Sequence, residues 1–423
     1  MKKAIITSLF VFGLISVSCY EADVNQPKGS TIAPQQVTVT DVVNQNGQSI
    51  IYYNLPDDSN FKYVKAVYAP RDGETSEVKA SFFTDSLILD GFASEGDYSV
   101  QLYSVSSGEA YSKPVPVSVS PMRPPYQIAA DNSHLQSDWG GVRFTATNAS
   151  DQALVYYVDM KDSESGEWVT MTEMVSSDHD LRVNIRGLEE IPYQFRYYVA
   201  DHWGNKTDYR EFELTPKYEA ECDKSLFKGQ VLPPGEKKLK MYSNSNFSYL
   251  YNGVKNVPSH YKNGFQLQAK VYTFPLDFTL DLGETYYLSR MEIWPSFNDV
   301  EDLTKRYAKL YHDLDIKDFE LFGAEFLDME NPLFDDDGNM NPNWTFIGHF
   351  SNKRLDGSDL SWEDYPITDL EEYNYSHLIP RNFEFPLDGP KVRYLKFRLI
   401  SNWRDTNDNV GFAEMSLYGK KVY

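Results

Sequence analysis

Alternation with a period of two, broken at short intervals by turn residues, constrains this chain more than any other feature. Val64, Ala66 and Tyr68 alternate with Lys65, and Tyr98, Val100 and Leu102 alternate with Ser99 and Gln101. Successive side chains of a strand point to opposite faces, so such runs bury one face and wet the other. Clusters such as Asp57-Asp58-Ser59-Asn60 and Arg71-Asp72-Gly73 separate the runs, without helical patterns between them. Short strands at this spacing specify an all-β sandwich. The chain has 423 residues, 41% of them hydrophobic. That is enough for two to four domains of about 100–200 residues, each with its own core.

Charge narrows the partners. There are 62 acidic and 40 basic residues, a formal charge of −22. A field of that sign repels phosphate backbones, so no nucleic acid is expected as a partner. It also disfavours polyanionic glycans unless a local basic patch compensates; neutral glycans stay open. The two cysteines, Cys19 and Cys222, give no disulfide framework. The 31 Tyr, 25 Phe and 7 Trp suit both strands and recognition surfaces.

At the N-terminus, Lys2 and Lys3 precede a short apolar run from Ala4 to Val17, then Ser18 and Cys19. The run is shorter than the roughly 20 residues that span a bilayer, and it reads as an export signal over residues 1–18. Cys19 at its boundary resembles the acceptor of a bacterial lipoprotein, although Ser16 stands where a larger aliphatic residue is usual. The resemblance implies lipidation at Cys19 and a membrane anchor. Residues 19–34 then read as a flexible polar tether.

Two segments share a plan. Leu87-Ile88-Leu89-Asp90-Gly91-Phe92 followed by Tyr98 is echoed by Val183-Asn184-Ile185-Arg186-Gly187-Leu188 followed by Tyr193. Both resemble the tyrosine corner of a fibronectin type III domain, in which a Tyr at a strand start bonds back across the turn. The resemblance implies one sandwich over 35–120 and a second over 124–216, joined by the stiff Pro121-Met122-Arg123-Pro124-Pro125. His202 reads as a surface turn residue. Residues 215–238, with Glu219, Glu221 and Asp223 among lysines, read as a solvated connector.

Residues 239–423 differ in texture. In order come Phe274-Pro275-Leu276-Asp277-Phe278-Thr279-Leu280-Asp281-Leu282-Gly283, Lys317-Asp318-Phe319-Glu320-Leu321-Phe322-Gly323 and Trp344-Thr345-Phe346-Ile347-Gly348. Val392-Arg393-Tyr394-Leu395-Lys396-Phe397-Arg398 and Glu414-Met415-Ser416-Leu417-Tyr418-Gly419 close the set. This order resembles a discoidin-like domain, also called coagulation factor 5/8 type C. That implies an eight-stranded jelly-roll sandwich with recognition loops at one end, and many such domains bind carbohydrate. The whole arrangement resembles lipoproteins of Bacteroidetes-type glycan-uptake systems. It implies a lipid-anchored location at the outer membrane, on the cell surface, with glycan-transport proteins of the same membrane as partners.

Loops of this last domain carry the candidate ligand-binding residues. Trp294, Phe297, Asn298 and Asp299 fall within six positions, and Trp403, Arg404, Asp405 and Asn407 within five. Sugar binding needs this mixture of flat rings for C–H faces and planar polar groups for hydroxyls. The alternative for Trp294 and Trp403 is that each indole caps the core. Tyr251 lies in a third loop, Tyr249 to Asn256, which resembles the family's first long loop and its structural calcium site. There Asn252 stands in place of an Asp, and Glu414 matches the family's C-terminal carboxylate. Calcium prefers six to eight oxygens with several carboxylates, so the substitution weighs against a metal at Asn252 and Glu414. No other cofactor is expected. The run Asp335-Asp336-Asp337-Gly338-Asn339 lacks EF-hand spacing and reads as a solvated turn.

An enzyme is not expected. The seven histidines never fall in HxH or HxxxH spacing, and no GxSxG elbow or P-loop occurs. Glu221 and Asp223 beside Cys222 would raise rather than lower its thiol pKa. The reading is a non-catalytic, membrane-anchored glycan binder; the alternative is a structural spacer or partner-docking lipoprotein in a glycan-uptake complex.

Overall fold

The computed structural model describes residues 29–255, 264–268, 271–295, 311, 315–354, 356–361, 364–365, 379–404 and 410–423. Cys19 and the export segment lie outside them, as do Phe297, Asn298, Asp299, Asp405 and Asn407.

The first domain holds β1 (Thr38–Gln45), β2 (Gln48–Asn54), β3 (Phe61–Tyr68), β4 (Ser76–Ser81), β5 (Ser86–Leu89), β6 (Tyr98–Ser106) and β7 (Val115–Val119). Asn46-Gly47 joins β1 to β2, with Gly47 at φ +70°, a left-handed geometry that glycine adopts without steric cost. The strands form a three-stranded sheet, β1-β2-β5, and a four-stranded one, β4-β3-β6-β7. The alternation read from the sequence sets the core, since Val64, Ala66, Val100 and Leu102 are buried between the sheets with Ile51 and Tyr53. The Tyr98 hydroxyl donates to the Ser94 carbonyl at 2.9 Å, closing the corner.

The second domain repeats the plan. After α1 (Pro125–Asp131) come β8 (Ser133–Asp138), β9 (Gly141–Thr147), β10 (Leu154–Lys161), β11 (Trp168–Ser176), β12 (Asp180–Arg186), β13 (Tyr193–Ala200) and β14 (Arg210–Leu214), in sheets β12-β9-β8 and β11-β10-β13-β14. Its corner has the opposite polarity: the Tyr193 hydroxyl accepts from the Glu189 N–H at 3.3 Å. The joint stays non-helical through Pro124, which is extended, and a short helix begins at its last residue, Pro125. Pro125 opens it, where a missing N–H is no loss, and Tyr126, Ala129 and Ala130 gain burial in the second core.

The joint between these domains is locked. The Tyr126 hydroxyl donates to the Ala93 carbonyl at 2.6 Å. From the turn after β13, Asn205 donates to the Gly91 carbonyl at 3.1 Å, and Arg71 of the first domain donates to the Trp203 carbonyl at 2.8 Å and to Asn205 at 3.0 Å. A Cβ on Gly91, at φ +77°, would lie 3.0 Å from the Trp203 ring. His202 is exposed beside that ring.

The third domain is built on one long strand. Its strands are β15 (Ala220–Glu221), β16 (Gln230–Val231), β17 (Phe265–Gln266), β18 (Leu276–Pro295), β19 (Ile316–Ala324), β20 (Thr345–Ser351), β21 (Arg381–Glu384), β22 (Lys391–Asn402) and β23 (Gly411–Lys421). The first part of β18 pairs with β22, and its second part pairs with β23 and β21. Between them the ladder slips around Gly283, at φ +78°, where a Cβ would lie 2.3 Å from the Leu226 carbonyl oxygen. One strand thereby serves both faces of a sandwich, nine strands among the described residues. Phe278 stacks on Phe397 at 4.8 Å, and Phe319, Leu321, Ile293 and Met415 complete the core. Burying each large apolar side chain contributes about 1.5–3 kcal/mol.

Residues 215–238 are not the solvated connector expected. Ala220 pairs with Gly419 and Gln230 with Leu280, so the segment is woven into the third domain. Glu219 is buried and accepts from Arg186 of the second domain at 3.0 Å, and from Ser289 at 2.5 Å and Arg290 at 3.3 Å in the third. Arg186 also binds Glu384. Glu219 is shielded from water because basic partners from two domains converge on it, whereas Glu221 and Asp223 stay exposed.

Candidate functional site

One end of the third sandwich gathers the ends of its strands. Ile316 of β19 lies opposite Asn402 of β22, Ser351 of β20 opposite Asp318, and Trp294 of β18 opposite Glu414 of β23. The loops leaving these positions hold the sequence candidates, so this rim is the candidate site.

Its floor is polar and closed. Asp315, 2% exposed, accepts from Arg381 at 3.0 Å and from the Tyr311 N–H at 3.0 Å. Arg381 also donates through Nε to Asn352 at 2.8 Å, and Asn352 donates to the Ile316 carbonyl at 3.0 Å. Burial raises the Asp315 carboxyl above its ordinary range against the opposing pull of Arg381. Tyr311 holds a left-handed backbone, φ +55°, of order 1 kcal/mol uphill for a residue with a Cβ. Its ring lies under two guanidinium groups, Arg354 at 4.8 Å and Arg381 at 5.5 Å. A single-sequence reading had no signal for this knot, whose members come from three separated segments.

Trp403 belongs to that floor. It is 3% exposed, meets Tyr311 edge to face at 4.9 Å, and has the Lys317 ammonium 5.3 Å from its ring centre. An indole covered on those sides offers no face to a sugar. Of the two alternatives weighed for it, core capping is the one the packing matches. Arg404 beside it is exposed, and its N–H donates to Asn402 at 3.1 Å.

Trp294 is placed differently. Its side chain is half-buried at the last turn of β18, with the Lys255 ammonium 5.2 Å from the ring centre. Among the described residues its enclosed Nε1 meets no acceptor. Tyr251 ends a 3₁₀ turn (Phe247–Tyr251) and packs inward, edge to face on Phe227 at 5.4 Å, and burial raises its hydroxyl pKa. It does not join Trp294 as an open ring.

The residues considered for calcium do not fit one. Glu414 is fully buried, and a lysine already balances its charge: Lys224 Nζ lies 2.6 Å from Oε1, while Oε2 accepts the Gly253 N–H at 2.9 Å. Lys224 also donates to Ser416 at 2.8 Å and pairs with Glu221 at 2.8 Å. Asn252 turns its carbonyl oxygen to the Val254 N–H at 2.9 Å. Among the described residues no group of three His, Cys, Asp or Glu side chains is arranged to hold a metal. In the insertion between β19 and β20, Asp335 accepts the N–H groups of Asp337 and Asn339, the hydrogen-bonding of an exposed turn. Burial pushes the Cys222 thiol well up.

Three family models match in series: the domain of unknown function DUF4959 over residues 34–121, DUF5126 over 122–225, and DUF5000 over 251–419. No curated protein matches the chain in sequence. Among solved structures, the chain is similar to a SusE-like protein at 23% identity, over 71% of this chain and 100% of that one, with a TM-score of 0.41. A CBM32 module of a family 31 glycoside hydrolase from Clostridium perfringens matches at 15% identity, over 47% and 95%, with a TM-score of 0.30. A two-domain fibronectin type III segment of chicken tenascin matches at 14% identity, over 44% and 99%, with a TM-score of 0.22.

Proposed function

We propose that the chain is a non-catalytic, lipid-anchored glycan-binding protein of the bacterial outer membrane, and that the rim of its third domain takes the sugar with Trp294 as the stacking face. The half-buried Trp294 ring carries this reading, because it is an aromatic surface held rigidly on a strand end where the candidate loops depart. The ordered discoidin-like motifs support it, and so does Lys255 beside the ring as a donor for hydroxyls. Phe297, Asn298, Asp299, Arg404, Asp405 and Asn407 are the further contacts assigned to the same rim. Two of the described carboxylates there are engaged by cations, Asp315 by Arg381 and Glu414 by Lys224, and Asp318 accepts from the hydroxyls of Ser351 and Ser401. Stacking on one ring contributes about 1 kcal/mol, so a single site is of roughly micromolar to millimolar affinity. Many tethered copies on one membrane would raise the effective affinity.

The locked joints favour a second reading, a rigid spacer or partner-docking lipoprotein within a glycan-uptake complex. Arg71 with Trp203 and Asn205, and Arg186 with Glu219 and Glu384, hold the three domains in register. Affinity electrophoresis of residues 29–423 through a panel of neutral and acidic polysaccharides separates the two. Retention by a polymer supports glycan capture, and free migration in every gel favours the spacer.

A further inference from the structure

The second and third domains touch closely at Glu219 but part beside it. The gap is a cleft of about 710 Å³ walled by the third domain and the segment woven into it, with Glu190 of the second domain at its edge, within the range of about 300–1,000 Å³ usual for small-molecule sites, which favour domain boundaries. Tyr218, 48% exposed, stands on one side, and Tyr286, almost wholly buried, lines the other. Two ion pairs and two further acids, Glu221 and Asp223, complete the walls. Lys420 of the third domain reaches Glu190 of the second at 2.9 Å, and Lys421 binds Glu284 at the bend of β18.

This chemistry selects a class of ligand. An anion would meet four carboxylates, Glu190, Glu221, Asp223 and Glu284, and would have to break an ion pair to reach Lys420 or Lys421. A neutral polyol need not. An ammonium has three donors and a carboxylate about four lone-pair positions, so each pair keeps capacity for hydroxyl groups. Tyr218 adds a half-open ring for the C–H face of a sugar, and burial holds the Tyr286 hydroxyl protonated, with its pKa pushed up to about 12. We infer that this junction cleft is a second saccharide site, taking neutral pyranose rings of a glycan chain against Tyr218. It stands independently of the rim, with which it shares no residue.

Calorimetric titration of residues 29–423 with maltohexaose, cellohexaose and mannohexaose tests it, alongside Tyr218→Ala, Tyr218→Phe and Trp294→Ala. The expected result is binding of at least one hexasaccharide, weakened about three- to tenfold by Tyr218→Ala, the loss of one stacking contact. Tyr218→Phe, which keeps the ring, should restore it, and thermal melts should coincide for all variants. Binding of none of the three, or binding indifferent to Tyr218→Ala, overturns the assignment. Sensitivity to Trp294→Ala alone leaves the rim standing and removes the cleft; sensitivity to Tyr218→Ala alone does the reverse.

Discussion

The junction between the second and third domains and the rim of the third use the same residue types to different ends. At the junction, Glu219 and Glu384 meet Arg186 and Arg290 across a domain boundary, and the pairing fixes one domain on another. At the rim, Asp315 meets Arg381 beneath the surface, and the pairing fixes loop bases within one domain. In both places acids and bases satisfy each other, so charge is not what either region offers to a ligand. What remains available is aromatic: Trp294 at the rim and Tyr218 in the cleft. A loop rich in Asp, Asn and Arg is therefore weak evidence of a site until the partners of those side chains are known.

The largest expected effect tests the floor of the rim. Arg381→Ala leaves Asp315 enclosed without its cation, and removing one member of a buried pair costs about 3–5 kcal/mol. Urea unfolding should show that loss, and Asp315→Leu in the same chain should recover part of it. A change below about 1 kcal/mol, the value of an exposed pair, would mean that the rim is no more closed than a surface.

Lys224→Ala probes the seam between the two regions, since Lys224 follows the junction in sequence and reaches Glu414 opposite Trp294. A loss of about 3 kcal/mol is expected. The unaltered chain should melt at one temperature with calcium or with chelator. A calcium-dependent rise in the unaltered chain would show that Lys224 does not serve as the cation at Glu414.

Acid separates the regions by sign. Lys420 holds Glu190 at the junction below the usual carboxylate range, so its contribution is present above the ordinary value of about 4.3 and is lost as pH falls through the depressed one. Burial raises Glu414 at the rim against the pull of Lys224, so protonation there favours the folded state as pH falls from its raised value toward the ordinary one. The smallest effect follows: below about pH 4 the Glu190–Lys420 contact should release first, read by the amide shifts of both segments. Simultaneous release at the rim and the junction would erase the distinction.

Much of the fold was legible because it is local. The run from Leu276 to Gly283 and the run from Lys317 to Gly323 alternate cleanly, and they form the first part of β18 and most of β19. Tyr98 and Tyr193 mark corners because each bonds four residues upstream. What was not legible depends on distant partners. Ala220 and Glu221 are a two-residue strand only because Tyr418 and Gly419 pair with them. Trp203 reads as a turn tip until Gly91 and Arg71 of another domain meet it. The candidate site divides the same way. The sequence singled out both Trp294 and Trp403, and Tyr311 and Lys317, from elsewhere in the chain, cover the second of them.

The central claim is that the rim binds a neutral glycan through Trp294. Affinity electrophoresis of residues 29–423 and its Trp294→Ala variant, in gels cast with each retaining polysaccharide, tests it most directly. The account predicts retardation of the unaltered chain and marked loss of it in the variant, with coincident melting curves. Equal retardation of the two proteins would contradict it.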